Sequence, residues 1–242
     1  MSTDTPDVNE QRESYDDIWD DLSKSNYRAQ QHLKNRIFAI SSFLSDLNLN
    51  NPSILEVGCG YGVISKELSK YGRVTGMDLS PKGIEIAQKL NPELSFFHGD
   101  VLNYDFGDKK YDIVINSEVI EHIPKESREQ FMNVLADQLQ PGGYMILTTP
   151  NKVISDHVST FQLIEEHFTR EDLIALMEPR FEVCQLTTIH RVFPVLGHKS
   201  KLFQAIRAGL YEILMLRRWI ENPFRDSGSG LYLAAVFKLR DS

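Results

Sequence analysis

From about Tyr15 to Leu47 apolar residues recur at helix spacing, with Ile37, Phe38, Ile40, Phe43 and Leu44 forming one stripe. Beyond it, short apolar runs alternate with amphipathic stretches. SILEVG, RVTGMDLS, LSFFHGDV, YDIVINS and GYMILTTP read as strands. VISKELSKYG, PKGIEIAQKL, SREQFMNVLADQL and TREDLIALM read as helices. Local signals support the boundaries. Gly72 suits the C′ position of the first of these helices. Ser80 is placed as an N-cap with Pro81 at N1, and the PGG run stops SREQFMNVLADQL. Thr169 with Asp172 three residues on is a variant of the capping box. FEVCQLTTI and LYLAAVFKL supply two more strands, which makes seven. Such alternation predicts an α/β fold, a mostly parallel, doubly wound sheet with helices on both faces. About forty residues separate the last two strands and contain LFQAIRAGLYEILMLRRWI, so a helical lid or cover is expected at about 195–225. Residues 1–14 read as a disordered acidic tail, and 15–242 as a single domain.

A chain of 242 residues is long enough for one such domain with a decoration. Its net charge of −8 argues against a nucleic-acid-binding surface. Two cysteines far apart, Cys59 and Cys184, make no disulfide framework and fit a reducing compartment. Cys184, inside a strand, is expected in the core. The N-terminal MSTDTPDVNEQRESYDD has neither a basic nor an apolar region of the kind secretory leaders carry. No run approaches the roughly 20 apolar residues of a membrane span. The expectation is a cytoplasmic protein with no nucleic-acid partner and no stable membrane insertion.

The chemistry centres on ILEVGCGYG, Ile54 to Gly62. Gly58, Gly60 and Gly62 follow the first strand, where ligands of doubly wound sheets bind. Missing side chains there let a ligand approach the backbone and let the next helix pack close. Asp78 ends the second strand, where a carboxylate can accept both hydroxyls of an adenosine ribose. Asp100 ends the third and can accept from an adenine amino group, with Val101 beside the ring. Asn116 and Ser117 end the fourth. Dinucleotide folds usually read GxGxxG and hold a pyrophosphate at a helix N-terminus; here Val63 stands where that motif wants glycine. Glu56, two residues before the loop, would repel a diphosphate and suits a cationic amino group. A ligand with a ribose, an adenine and a positive charge but no phosphates fits S-adenosylmethionine.

In these residues the sequence resembles class I S-adenosylmethionine-dependent methyltransferases. LEVGCGYG resembles the family's first motif, MDLSPKGIEIA the second, GDV the third, YDIVINSEVIEHI the fourth and LQPGGYMILTTPN the fifth, over roughly residues 30 to 190. The resemblance implies a Rossmann-like seven-stranded sheet of order 3-2-1-4-5-7-6 with the last strand antiparallel. It implies that Glu56, Gly58 and Gly60 hold the methionine end of the cofactor, Asp78 the ribose, Asp100 and Val101 the adenine, and Asn116 the sulfonium side, with Leu79 also among the cofactor-binding residues. Arg36 resembles a basic residue that some relatives use on the cofactor carboxylate.

The segment SEVIEHIP resembles the corresponding part of ubiquinone-type O-methyltransferases, where a Glu-x-x-Glu-His pattern can carry a divalent metal. His122 is the best single base for an acceptor hydroxyl, because its unperturbed pKa is near neutrality. A metal on Glu118, Glu121 and His122 is the less favoured reading. Cys59 reads as a small loop residue and no nucleophile. His157 and His167 fall where relatives place substrate-facing loops; His167 reads as packing ahead of Thr169, with a base as the less favoured alternative. Lys199 to Glu221 reads as a cover on the sheet or on a second subunit of a homodimer. The expected reaction is methylation of a small-molecule hydroxyl on a secondary metabolite, sugar, lipid or quinone-like compound. The alternatives are N-, C- or protein methylation, a nicotinamide-dependent oxidoreductase, and a non-catalytic cofactor-binding subunit.

Overall fold

The computed structural model describes residues 27–155, 166–191 and 230–240. The acidic tail, His157 and the expected lid at 195–225 lie outside them. Helix α1 (Tyr27–Leu47) leads into β1 (Ser53–Val57), α2 (Val63–Leu68), β2 (Arg73–Asp78), α3 (Pro81–Leu90), β3 (Ser95–His98) and β4 (Tyr111–Ser117). Two 3₁₀ turns (Ile120–His122 and Lys125–Ser127) lead to α4 (Arg128–Asp137), β5 (Leu139–Pro150) and the short α5 (Lys152–Ser155). After these come α6 (Arg170–Met177), β6 (Phe181–Arg191) and β7 (Gly230–Leu239). The sheet has seven strands in the order β3-β2-β1-β4-β5-β7-β6. The first five pair in parallel, and β7 runs antiparallel to both β5 and β6.

The central strands are apolar on both faces because both are covered. On one side Ala39, Ile40, Phe43 and Leu44 of α1 meet Ile54, Ile113, Ile115, Ile146 and Val236. On the other, Phe131 and Leu135 of α4 and Leu173 and Met177 of α6 meet Leu55, Val114, Met145, Leu147 and Phe237. Neighbouring residues of one strand, such as Ile113 and Val114, therefore serve opposite layers. Full burial of each such side chain contributes roughly 1.5–3 kcal/mol. Among the described residues no helix is long and apolar enough to cross a membrane.

The caps form as expected. Ser80 accepts from the amide of Gly83 at 2.9 Å, with Pro81 first in α3. Thr169 and Asp172 cap each other reciprocally, both bonds 3.1 Å. Three expectations fail locally. Helix α2 stops at Leu68, with Ser69 as its cap, so Gly72 is not its C′ residue. Gly72 is instead a close approach: a Cβ there would lie 2.2 Å from the Pro52 carbonyl oxygen. Helix α4 ends before the PGG run, at Asp137, and the run lies inside β5. There the pairing with β4 slips between Tyr111 and Ile113, and Gly142 takes a left-handed φ of 71° to absorb the extra residues. Cys184 is exposed, not core. Val183 pairs with Phe237 and Gln185 with Val236, so Cys184 is the extra residue of a bulge and is turned out of the ladder.

Candidate functional site

Everything polar that the sequence singled out on strands β1 to β4 gathers at the carboxyl edge of the sheet. The amides of Gly58 and Cys59 both donate to the Met77 carbonyl, at 2.8 and 3.0 Å. The Asp78 carboxylate completes this clamp: Oδ2 accepts from the Gly60 amide at 2.7 Å and Oδ1 from the Ser80 amide at 2.8 Å. Asp78 thus ties the glycine loop to the start of α3. Gly58 and Gly60 take φ of 79° and 51°. The reason for absent side chains is partly internal. A Cβ on Gly58 would stand 2.1 Å from Val119 Cγ2, and one on Gly62 would stand 2.9 Å from Phe96 Cζ. Cys59 is buried with Ile84, Ala87 and Phe96, and burial pushes its thiol well above the ordinary range, which suits packing and not nucleophilic attack.

Beneath the loop lies Glu56, 1% exposed. It accepts from the Ser65 hydroxyl. Burial raises its pKa to about 8; hydrogen bonds with Ser65 hold it back, and the charge of Asp78 raises it further. Leu79 offers its carbonyl to His98 Nε2 at 3.1 Å. Asp100 accepts from the Leu102 amide at 3.1 Å and from Asn103 Nδ2 at 2.6 Å, which makes a turn of the next residues, and half-buried Val101 packs on the core. Asn116, at the end of β4, is fully buried, and neither its Nδ2 nor its Oδ1 has a partner.

The turn after β4 carries the densest electrostatics. Glu118 has a left-handed backbone, φ 58°. Its Oε1 accepts from Thr148 Oγ1 at 3.1 Å, and its Oε2 lies 3.3 Å from Arg36 Nη1. Arg36 stands over the Tyr232 ring, 5.6 Å from the centroid, and its charge reaches Tyr61 of the glycine loop, whose pKa burial otherwise raises. Its Nε is buried without a partner. Glu121 is 2% exposed and accepts from Thr149 Oγ1 at 3.1 Å. Burial, then the charge of Glu118, drives its pKa far above the usual carboxylate range. His122 is half-buried and closes the 3₁₀ turn, its amide donating to the Val119 carbonyl at 2.9 Å. Among the described residues no three His, Cys, Asp or Glu side chains converge as metal ligands. Glu118 and Glu121 are directed at Arg36, Thr148 and Thr149.

Two features escaped the sequence reading. Arg128, the first residue of α4, is buried: Nε donates to the Ile123 carbonyl at 3.0 Å, Nη1 pairs with Glu166 at 2.9 Å, and the guanidinium lies 4.6 Å from the Phe168 ring centroid. It joins the turn after β4 to the segment after β5, beside half-buried His167. The other is His32, one turn before Arg36 on α1, whose Nδ1 lies 2.9 Å from the Tyr232 hydroxyl. An arginine at a helix start and a histidine in a helix carry no signal of a partner this remote in sequence.

Residues 54–143 match the family model described as a methyltransferase domain. Over 181 residues, 71% of this chain and 56% of that protein, the chain is 29% identical to the mitochondrial ubiquinone biosynthesis O-methyltransferase of Schizosaccharomyces pombe. It is 36% identical over 117 residues to the phthiotriol/phenolphthiotriol dimycocerosates methyltransferase of Mycobacterium leprae, covering 45% of this chain and 43% of that protein. The chain thus spans about half the length of the curated relatives it matches. In structure it is similar to magnesium protoporphyrin IX methyltransferase from Synechocystis PCC 6803, solved with bound S-adenosylmethionine, with a TM-score of 0.63, 16% identity and 100% of both chains covered. That likeness is one of fold.

Proposed function

We propose, from the premise that residues 54–143 carry a methyltransferase domain in the fold of class I S-adenosylmethionine-dependent methyltransferases, that this chain methylates a hydroxyl of a small-molecule acceptor. One observation carries the cofactor assignment. Four adjacent strand ends surround the glycine loop, and together they offer a buried carboxyl under the loop, a carboxylate on β2, another after β3 and an orphaned amide on β4. A buried amide with both ends unpaired costs free energy unless a ligand satisfies it. Glu56 under the loop ionises most readily beside a cationic amino group and offers a pyrophosphate no positive charge, which weighs against a nicotinamide cofactor.

In this reading Glu56 takes the amino group, the backbone of Gly58 and Gly60 borders the methionine end, and Arg36 takes the carboxylate. Asp78 and Leu79 meet the ribose, Asp100 and Val101 the adenine, and Asn116 the sulfonium side. S-adenosylmethionine supplies an electrophilic methyl group when bound. The chain contributes proximity and alignment of the acceptor oxygen, and His122 takes the hydroxyl proton. In this reading the adenosine lies over β3-β2-β1, and the acceptor approaches from β4, β5 and β7. The O-methyltransferase name of the yeast relative supports oxygen as the nucleophile.

Calorimetric titration with S-adenosylhomocysteine and with NAD tests the reading. S-adenosylhomocysteine binds and raises the melting temperature by mass action, and NAD does neither. Binding of NAD without S-adenosylhomocysteine would sink it. His122→Ala keeps the affinity for S-adenosylhomocysteine while losing turnover; a loss of affinity in that variant would make His122 a cofactor-loop support instead.

A further inference from the structure

Arg36 is held by an anion that belongs to the protein. Its Nη1 lies 3.3 Å from Glu118 Oε2, longer than a good charge-assisted hydrogen bond, and its Nε is buried with no partner. The guanidinium therefore keeps one unmet donor, and the proposed function brings a carboxylate to it. Its surroundings leave it in place: the Tyr232 ring lies beneath, and Tyr61 of the glycine loop is within reach of its charge. Glu118 is the opposite case. It is the only described residue of the turn after β4 with a left-handed backbone, φ 58° without the freedom of glycine. It keeps a partner without Arg36, since Thr148 Oγ1 already donates to its other oxygen at 3.1 Å and Ser117 Oγ lies 2.9 Å from the same hydroxyl. Glu121 is close enough for the Glu118 charge to add to the effect of burial in raising its pKa.

We propose that Glu118 is an internal competitor for Arg36, which the carboxylate of the cofactor displaces. The inference rests on the cofactor reading above. Glu118 pairs with the guanidinium when the site holds no amino-acid moiety, and it gives up that pair and stays on Thr148 when one arrives. No bond is made or broken; two ion pairs exchange. Glu118 then sets how strongly the site prefers a ligand with a carboxylate over a bare nucleoside, and it turns a carboxylate toward the acceptor side only once the cofactor is seated. Glu118 is a positioning residue in this scheme and acts through Arg36.

A competitor and a supporting residue predict opposite signs, which makes the test direct. S-adenosylhomocysteine and adenosine, which lacks the amino-acid moiety, are titrated calorimetrically into wild type, Glu118→Gln, Glu118→Gly, Arg36→Gln and the Arg36→Gln/Glu118→Gln double variant. Removing the competing ion pair tightens S-adenosylhomocysteine about twofold to fivefold in both Glu118 variants, the range of a partly exposed pair. Glycine also relieves the left-handed backbone, so that variant melts no lower than wild type and guards against misfolding of the glutamine variant. Arg36→Gln weakens S-adenosylhomocysteine, and Glu118→Gln has no further effect in that background. Adenosine affinity stays level throughout. Weaker or unchanged S-adenosylhomocysteine binding in both Glu118 variants overturns the proposal and makes Glu118 a holder of the amino group or a plain structural partner. Wild type that binds neither ligand overturns the cofactor reading instead.

Discussion

Glu56 offers a measurement in which a proton reports the ligand. Its carboxyl is 1% exposed, and its pKa in the fold is about 8, against 4.5 for an ordinary glutamate. The folded state therefore binds the proton more tightly than the unfolded state. Stability from this group is complete below pH 4.5 and falls as pH rises toward 8. The difference between the two values corresponds to roughly 5 kcal/mol across that window. Glu56→Gln keeps the shape and cannot ionise. Its stability in urea matches wild type near pH 5 and exceeds it by several kcal/mol near pH 8.5. Glu121, also raised, titrates in both proteins, so the difference between them isolates Glu56. Ligand binding gives the second half of the test. At pH 7 a group of pKa 8 is about nine-tenths protonated, and a cationic amino group seated beside it draws out that proton. Titration of S-adenosylhomocysteine in buffers of different ionisation enthalpy then shows close to one proton released by wild type and none by Glu56→Gln. A stability difference that stays flat from pH 5 to 8.5 would refute the buried, protonated carboxyl. Equal proton release in both proteins would refute its contact with the amino group.

Other perturbations follow from the same geometry. Gly58→Ala meets Val119 Cγ2 at 2.1 Å and a φ of 79°, and loses about 2–5 kcal/mol from left-handed strain and overpacking together; Val119→Ala restores part of it, and no rescue in urea melts would show the clash is not the cause. Asn116→Leu removes the orphaned amide, so the ligand-free protein gains about 1–2 kcal/mol while S-adenosylhomocysteine binds more weakly; unchanged stability would mean the amide is satisfied. Arg128→Met removes the tie from Ile123 to Glu166 and costs about 1–2 kcal/mol, and hydrogen exchange at the amides of 166–168 accelerates; exchange at the wild-type rate would show that Phe168 packing alone holds that segment.

The succession of strands and helices and the glycine loop were legible because each rests on local pattern; the order of the sheet came only from the resemblance to the methyltransferase family. Apolar runs such as SILEV and YDIVINS, with the Ser80 and Thr169 caps between strands, leave little freedom for the elements. What the sequence hid depends on distant partners. Gly72 looks like a helix terminator until Pro52 is placed against it. PGG looks like a stop signal until β5 is seen to need slack against Tyr111. Cys184 follows the alternation of its strand until the bulge opposite Phe237 and Val236 turns it outward. At the site, the positions of Glu56, Asp78, Asp100 and Asn116 were readable as strand ends. Their present bonds were not: Asp78 binds two amides of its own chain, and Asp100 closes a turn. The Arg36–Glu118 pair joins residues 82 positions apart, and no periodicity announces such a contact.

Strand β7 has a consequence for how the chain is made. Its residues Leu233 to Phe237 are buried between β5 and β6, yet they are synthesised after both. While the ribosome is still reading toward residue 230, β5 has an open flank and β6 has no neighbour in the sheet. Each presents a bare row of amides and carbonyls to whatever else is nascent nearby. The keystone arrives after both of its neighbours, so closure of this half of the sheet waits on some ten residues, and a ribosome stalled before them leaves two hungry edges instead of a smaller native protein.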